Sequence, residues 1–336
     1  MRFDILTIFP NFFSGPLDHG ILSRAIAAGA VQVALYDLRD FTHDRHRTVD
    51  DRPFGGGEGM VLKPQPIFDC VESLGPPSSP SEAQDCHSER SEESPHFARS
   101  SINYAVAESC IAKEKNINQS NNKVSESDKS IIGIAPKPTR DTSRQSVILL
   151  SAQGRPFTQA TAHRLAALDR VVLICGRYEG VDERVANLLA DQELSIGDYV
   201  LSGGELAAAV VLDATVRLLP GVLGHADSAR YESFGVADIQ PGDPEDGKTP
   251  DGVPRSTHGA GGILDYPHYT RPADFRGAPI PEILANGDHA SIRRWRRQAA
   301  LAKTLRNRPD LLARASLTPE DREFLATLGC TAPLSS

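Results

Sequence analysis

The stretch VVLICGRYEGVDERV, residues 171–185, runs from an apolar segment through a glycine-bounded turn into a helix-like pattern. Open α/β sheets build nucleotide sites in this order, from strand to tight turn to helix. The glycines lack the G-x-G-x-x-G spacing of a dinucleotide fingerprint, and no Lys followed by Ser or Thr completes a phosphate-binding loop. The stretch therefore predicts a ligand held by a different kind of glycine loop.

Short apolar runs recur along the chain in the form typical of strands buried on both faces. They are FDILTIF (3–9), SVILLSAQG (146–154) and RVVLICG (170–176). A helical pattern lies between the last two, over residues 160–168. A fourth strand is predicted at DYVLS, residues 198–202, and a helix follows over 204–219. This alternation predicts an α/β domain with a mostly parallel sheet.

Two polar segments interrupt this pattern. Residues 75–145 are rich in Ser, Asn, Lys and Glu, and such a composition buries too little apolar surface to offset chain entropy, so we predict disorder. Residues 235–262 are rich in Gly, Pro and Asp and predict a flexible linker. The expected organisation is an α/β domain over 1–234 that contains the insertion, a linker over 235–265, and a small all-helical domain over 266–330.

Composition excludes several classes of protein. The net charge of −8 does not by itself favour a nucleic-acid binder. The five cysteines form no C-x-x-C pair, which argues against a zinc knuckle and for a reducing compartment. No apolar run approaches the roughly 20 residues of a membrane span, and MRFDILTIFP is too short and acidic for a signal peptide. We expect a cytoplasmic protein.

Three glycine-rich loops lie at or beside the ends of the predicted strands. They cover residues 151–154, 176–180 and 195–205. Ligands of open α/β sheets bind at the carboxyl ends of the strands, where glycines allow close approach of the main chain. The loops carry few fixed positive charges, which favours a nucleoside-like ligand without a polyphosphate. The alternative is that they are three ordinary turns.

The segment FTHDRHRTVDDRPFGGGEGM, residues 41–60, combines histidines, arginines and aspartates with a glycine-rich end. Three interpretations remain open: a metal site at His43 and His46, a solvated charged loop, or a mobile basic lid over an anionic substrate. The interleaved arginines oppose a cation site. Arginines bind phosphates and glycines permit motion, so the lid fits best.

The stretch HASIRRWRRQAALAKTLRNR, residues 289–308, carries seven Lys or Arg and no acid. An apolar stripe at helical spacing is predicted to dock the helix, with Trp295 as a core anchor. The stripe comprises Ile292, Trp295, Ala299, Ala302 and Leu305. The basic residues around it are Arg293, Arg294, Arg296, Arg297, Lys303, Arg306 and Arg308. This charge excess on an acidic protein predicts a polyanionic partner, RNA or DNA.

Six motifs occur in a characteristic order: RDFTHDRHRTVDDRPFGGGEGM, CGRYEGVDERV, SIGDYVLSGGE, PGVLGH, YPHYTRP and IRRWRR. Together they closely resemble the bacterial tRNA (guanine-N1)-methyltransferase family, TrmD, of the SPOUT superfamily. The resemblance covers the chain except for the two polar segments and the last few residues.

The resemblance implies a trefoil-knotted fold, a rare exception to the rule that connections do not thread loops. It implies that the glycine loops hold S-adenosyl-L-methionine in a bent shape, and that the protein is a homodimer with sites built across its interface. The implied reaction is methylation of N1 of guanosine at tRNA position 37, next to the anticodon, with the guanosine at position 36 part of recognition. A catalytic Mg²⁺ near Glu179 is also implied.

The resemblance assigns roles residue by residue. Arg217 supports the guanine, and Glu232 stands where the family has an aspartate as the catalytic acid–base residue, with Asp227 as the nearby competitor. Glu179 lies beside the methionine part of the cofactor. The other implied cofactor contacts are Leu150, Ser151, Gly176, Tyr178, Gly180, Ile196, Tyr199, Leu201, Gly203 and Gly204. Implied tRNA contacts are His46, Asp50, Arg52, Gly59, Arg293, Arg294 and Arg297.

Two alternative functions stay open from the sequence. A nucleotide-dependent oxidoreductase would share the α/β fold, although the dinucleotide fingerprint is missing. A non-catalytic RNA-binding homologue would share the motifs if the insertion, or Glu232 in place of the family aspartate, has disabled the site.

Overall fold

The computed structural model describes residues 1–75, 142, 144–224, 232–235 and 261–330. The chain divides into two compact units, Met1–Val222 and Leu223–Ser336. The division after Val222 comes earlier than the boundary that the sequence predicted after residue 234. The predicted disordered insertion and most of the predicted linker lie outside the described residues.

The first unit is built on a five-stranded sheet with the order β2-β1-β6-β5-β7, and every neighbouring pair is parallel. Its strands are β1 (Arg2–Thr7), β2 (Gln32–Asp37), β5 (Gln145–Pro156), β6 (Arg170–Cys175) and β7 (Gln192–Ser195). A short antiparallel pair, β3 (Asp50–Asp51) and β4 (Val61–Leu62), lies outside this sheet. The predicted mostly parallel sheet is confirmed.

Helices flank the sheet. They are α1 (Ser14–Asp18), α2 (Gly20–Ala27), α3 (Pro64–Ser73), α4 (Gln159–Ala166) and α5 (Glu205–Val216). Short 3-10 turns occupy Pro10–Phe13 and Leu38–Phe41, and one π-helical turn occupies Val185–Leu189. Thr158 begins α4, because its side chain accepts a hydrogen bond from the backbone of Thr161. The helices predicted over 160–168 and 204–219 are confirmed, whereas the pattern after the Gly-Arg-Tyr-Glu-Gly turn forms only the π-helical turn.

Apolar side chains fill both faces of the sheet, which explains the continuous apolar runs. Phe3, Ile5 and Leu173 belong to one core cluster, together with α5. Leu6 and Ile174 belong to a second cluster, together with α3. Successive residues of a strand point to opposite faces, so β1, β5 and β6 each supply both clusters.

One sequence prediction about the strands is wrong. Residues 198–202 are a loop with Tyr199 and Val200 exposed, and the strand of this region is β7, which has the single large apolar residue Leu194. An apolar-run criterion misses such a strand. Residues 151–154 lie within β5, in agreement with the predicted strand over 146–154, and the register against β7 shifts there, because Leu194 pairs with both Leu150 and Arg155.

The second unit is mainly helical, with α6 (His289–Asn307), α7 (Pro309–Leu312), α8 (Pro319–Thr327) and a 3-10 turn at Glu282–Leu284. A short antiparallel pair, β8 (Asp274–Phe275) and β9 (Ala278–Pro279), corrects the all-helical prediction. Asp288 caps α6 through the backbone of Ala290 and Ser291. The core consists of Ile263, Ala300, Leu301, Leu312, Ala315 and Leu325.

The buried face of α6 differs from the predicted stripe. Its buried residues are Ile292, Arg297, Ala300, Leu301 and Thr304. Trp295 is only half-buried, so it is not the core anchor that the sequence predicted. Arg297 is buried there instead, in an ion pair with Asp321 of α8. Within the described residues, no helix combines the length and apolarity needed to cross a bilayer.

Candidate functional site

Two of the three glycine-rich loops contact each other at the carboxyl edge of the sheet. The register pairs Leu150 with Cys175 and with Leu194, so β5, β6 and β7 deliver their following residues to the same place. Gly204 N donates to Gly176 O at 2.8 Å, and Arg177 forms an antiparallel bridge with Gly203. The convergence predicted from the sequence is therefore present between loops 176–180 and 203–204.

The Gly-Arg-Tyr-Glu-Gly turn has an uncommon backbone. Tyr178 has a φ of 59° and Gly180 a φ of 139°, and Gly180 N closes the turn on Arg177 O at 3.1 Å. A left-handed φ is unusual for a residue with a side chain. The turn leaves the Tyr178 ring half exposed, together with an exposed Glu179. Both side chains are thus available to a ligand at this edge.

Gly204 is required by close backbone packing. A Cβ at this position would lie 2.8 Å from Cys175 Cα and 3.0 Å from Gly176 N. Neither atom belongs to a flexible side chain, so any larger residue must push loop 176–180 away from α5. The loops thus approach each other as closely as two main chains can.

Residues 41–60 are anchored beside the same turn. Glu179 N donates to Met60 O at 3.1 Å, and Leu62 N donates to Gly180 O at 3.0 Å. A Cβ at Gly59 would lie 2.4 Å from Glu179 Cγ. Two residues of the predicted tRNA-contact set in this segment, His46 and Arg52, are exposed, and Asp50 is half-buried in β3.

The middle of this segment is ordered by Asp44. Its carboxylate accepts from Thr48 Oγ1 at 2.8 Å and from the backbone of Thr48 and His46. These bonds, led by the Thr48 hydroxyl, hold the pKa of Asp44 below its ordinary value. His43 Nε2 bonds to Asp69 Oδ2 at 3.0 Å. The described residues contain no group of three His, Cys, Asp or Glu suited to a metal, so the metal interpretation gains no support there.

The predicted chemical residues lie in different units. Arg217, half-buried, ends α5 in the first unit, and Glu232 lies in a short described segment of the second unit. Gly235 N donates to Glu232 O at 3.1 Å. Asp227, the competing acid, lies outside the described residues. The remaining cofactor candidates at the first unit's edge are the buried Leu150 and the more accessible Ser151, Ile196, Tyr199 and Leu201.

Sequence reasoning missed an ion pair between Arg177 and Glu205. Arg177 Nη1 donates to Glu205 Oε2 at 3.2 Å, and Thr7 Oγ1 donates to Glu205 Oε1 at 2.9 Å. An acidic residue directly after Gly203 and Gly204, at the start of a helix, was the only available signal. A cavity of 530 Å³ lies beside this pair and shares only Gly203 with the predicted cofactor residues. Its other lining residues include Phe9, Phe12, Arg39 and Leu206.

The basic face of α6 is divided. Arg297 is buried and donates to Asp321 Oδ2 at 2.7 Å, so the structure gives this predicted tRNA contact a core position. Arg294 is exposed and Arg293 half-buried. Arg296 stacks over Tyr266 at 4.9 Å, and Trp295 lies 6.2 Å from the Tyr269 ring. The outer face therefore combines arginine with aromatic rings.

The fold and loops define an α/β protein with a parallel sheet and glycine-rich loops at the carboxyl edge of that sheet. The family model described as tRNA (Guanine-1)-methyltransferase TrmD matches residues 1–85 and 130–314. The chain belongs to this family of methyltransferases, which removes the oxidoreductase alternative.

Curated relatives of the same name are similar to this chain over almost all of its length. A tRNA (guanine-N(1)-)-methyltransferase of Koribacter versatilis is 49% identical over 98% of both chains. One from Geobacter sulfurreducens is 39% identical over 98% of both chains. One from Dictyoglomus turgidum is 42% identical over 97% of this chain and 95% of its own.

Proposed function

We propose that the protein transfers a methyl group from S-adenosyl-L-methionine to N1 of guanosine at position 37 of tRNA, next to the anticodon. The observation that carries this proposal is the contact of loops 176–180 and 203–204 at the carboxyl edge of the sheet, in a chain of this family. We further propose that the three glycine-rich loops, residues 151–154, 176–180 and 195–205, form the trefoil knot of the SPOUT superfamily.

The cofactor residues suit a ligand without phosphates. The backbone of Gly180, where an added Cβ would meet open space, can approach an adenosine closely, and Tyr178 offers a half-exposed ring beside it. Gly176, Gly203 and Gly204 are proposed to shape the site through the close contact of their loops. Strong anion binding would instead need several fixed cations. S-adenosyl-L-methionine supplies a methyl group on a sulfonium, which is already a good leaving group.

The protein residues activate the guanine. N1 carries a proton and is a poor nucleophile until that proton leaves. In the proposed mechanism Glu232 accepts the N1 proton, and such general-base catalysis is worth about 10²–10⁴-fold. Arg217 stabilises the negative charge that then develops on O6. The base leaves its stack to enter the site.

Mg²⁺ near Glu179 remains a prediction. Mg²⁺ often uses one or two carboxylates together with water and substrate oxygens. Within the described ranges no three potential ligands converge around Glu179, so a cage made of protein alone does not fit. No step of the proposed mechanism depends on the metal.

A homodimer is proposed from the exposed apolar face beside the cavity. Leu206 and Val210 are one helical turn apart on α5, and both are about half exposed, as are Phe9 and Phe12 nearby. Contiguous apolar surface of this kind marks protein interfaces. A partner subunit there would complete the site of the first unit. We propose that tRNA contacts the exposed His46 and Arg52 of the first unit, and the exposed Arg294 and half-buried Arg293 of the second. We also propose a cytoplasmic location, because the proposed substrate is tRNA.

One assay tests the proposed function. The full chain is incubated with labelled S-adenosyl-L-methionine and unmodified tRNA carrying guanosine or adenosine at position 37, each with guanosine at position 36. We expect label only in the guanosine-37 tRNA, at N1 by nucleoside analysis. Binding of tRNA without any transfer would instead establish the non-catalytic RNA-binding homologue.

A further inference from the structure

Arg177, Glu205 and Thr7 form a polar chain that joins three separate segments of the first unit. The two carboxylate oxygens of Glu205 each accept one hydrogen bond, one from Arg177 and one from Thr7. Thr7 Oγ1 in turn accepts from Phe9 N at 2.9 Å. The Glu205 side chain is 4% exposed, so protein groups and not water compensate its charge.

This ion pair lies directly against the glycine loops. A Cβ at Gly203 would lie 2.4 Å from both Arg177 Nη1 and Glu205 Oε2. The main chain of Arg177 bridges Gly203, and Gly204 N bonds to Gly176 O. The side-chain pair and the backbone bonds therefore hold the same two loops together.

The surroundings favour a fixed arginine. Glu205 is the first residue of α5, where the helix dipole stabilises a carboxylate. The Arg177 guanidinium stacks over the Phe9 ring at 4.6 Å, a contact that a lysine makes less well. The guanidinium is thus held on two sides, by a carboxylate and by a ring.

We propose that Arg177 and Glu205 are positioning residues for methyl transfer. They set the separation of loops 176–180 and 203–204, and so the shape of the cofactor site between them. This inference rests on the proposed function, because the two loops form a cofactor site only if the protein binds S-adenosyl-L-methionine there. Neither residue is assigned contact with the reacting atoms.

The same sheet contains a matched control at its other edge. Arg170 Nε donates to Asp4 Oδ2 at 2.5 Å, and the two side chains are 5% and 0% exposed. Arg170 is paired with Arg2 and Gln145 at the amino ends of the strands, away from the loops. It is an ion pair of the same chemistry, more deeply buried at the arginine (5% exposed, against 26% for Arg177), without a role at the proposed site.

The test compares full-length variants by calorimetric titration with S-adenosyl-L-methionine and by thermal unfolding. We expect R177M to weaken cofactor binding by about ten- to a hundredfold, as a displaced binding loop does. The single change also leaves the Glu205 charge buried and lowers Tm, whereas R177M/E205Q recovers Tm without recovering affinity. R177K keeps the charge and recovers part of the affinity. R170M lowers Tm while the folded protein keeps wild-type affinity.

Wild-type affinity in R177M/E205Q would overturn the positioning role and leave the pair a purely structural one. If R177M does not fold, R177K decides, since wild-type affinity in R177K equally overturns the proposal. Failure of the wild-type chain to bind S-adenosyl-L-methionine would reject the proposed function together with this inference. If wild type binds S-adenosyl-L-methionine and the Arg177 and Glu205 variants bind it with the same affinity as wild type, the inference alone is rejected.

Discussion

The two compact units are built on different principles. The first unit covers both faces of a parallel sheet with apolar clusters and presents main-chain groups at the edge of that sheet. The second unit has a small apolar core completed by the buried pair Arg297 and Asp321, and it presents charged and aromatic side chains. Each unit therefore offers a different kind of recognition.

This difference follows from the ligands that we propose. A neutral adenosine is recognised by shape and backbone hydrogen bonds, which need close-packed, rigid loops. A polyanion is recognised by cations that remain in water until they meet a phosphate. A mutation in the first unit should therefore act through loop geometry, and a mutation in the second through charge or core stability.

The largest expected effect tests whether the second unit also supplies chemistry. Glu232→Gln removes the proposed base and should lower the single-turnover rate by about 10²–10⁴-fold. Affinities for tRNA and S-adenosyl-L-methionine, measured by filter binding and calorimetry, should persist. Full turnover in the variant would refute the assignment. Arg217→Ala in the first unit should likewise lower the chemical step more than cofactor affinity.

The next effect separates the two roles of arginine on α6. Arg297→Met leaves Asp321 buried without its partner and should cost about 3–5 kcal/mol of unfolding free energy. The matched variant Arg294→Ala alters an exposed residue and should change stability by less than about 0.5 kcal/mol. It should instead reduce the slope of log affinity for tRNA against log salt by about one. Equal thermal stability of Arg297→Met and Arg294→Ala would show that Arg297 does not have the core role assigned to it.

A smaller effect concerns backbone packing in the first unit. Gly204→Ala inserts a Cβ within 2.8 Å of Cys175 Cα, and such overpacking costs about 1–3 kcal/mol. We expect a lower Tm and weaker binding of S-adenosyl-L-methionine. Gly15→Ala, where a Cβ meets nothing within 4 Å, is the control and should keep wild-type cofactor affinity and a Tm no lower than that of wild type. Unchanged cofactor affinity in Gly204→Ala would remove the need for close loop contact.

The smallest effect concerns the exposed segment 41–60. The pKa of Asp44 lies below its ordinary value in the folded chain, chiefly because of the Thr48 hydroxyl. The contribution of this carboxylate to loop order is thus present above the ordinary Asp pKa and is lost as pH falls through the lowered value. Carboxyl NMR titration should show the low pKa in wild type and a rise towards the ordinary value in Thr48→Val. An identical pKa in both proteins would exclude the hydroxyl as the cause.

Much of the fold was predictable because the buried strands share one sequence pattern, a short apolar run. β1 and β6 are continuous apolar runs, since parallel strands are covered on both faces. β7 was missed because Gln192–Ser195 has too few apolar residues to stand out, while the apolar Val200 lies in an exposed loop. The glycine loops were predictable as a group, but the ion pair between Arg177 and Glu205 was not.

The order of residues by itself determined the alternation of strands and helices, the edge at which the glycine loops meet, and the motifs that mark the family. Only the tertiary structure decided which charges stay in water and which become part of a core. Arg294 and Arg297 are three residues apart on one helix, yet one is exposed and the other pairs with Asp321, 24 residues away. Whether an arginine is buried depends on the partner that folding brings to it. The sequence of the basic helix does not indicate which of its arginines has such a partner.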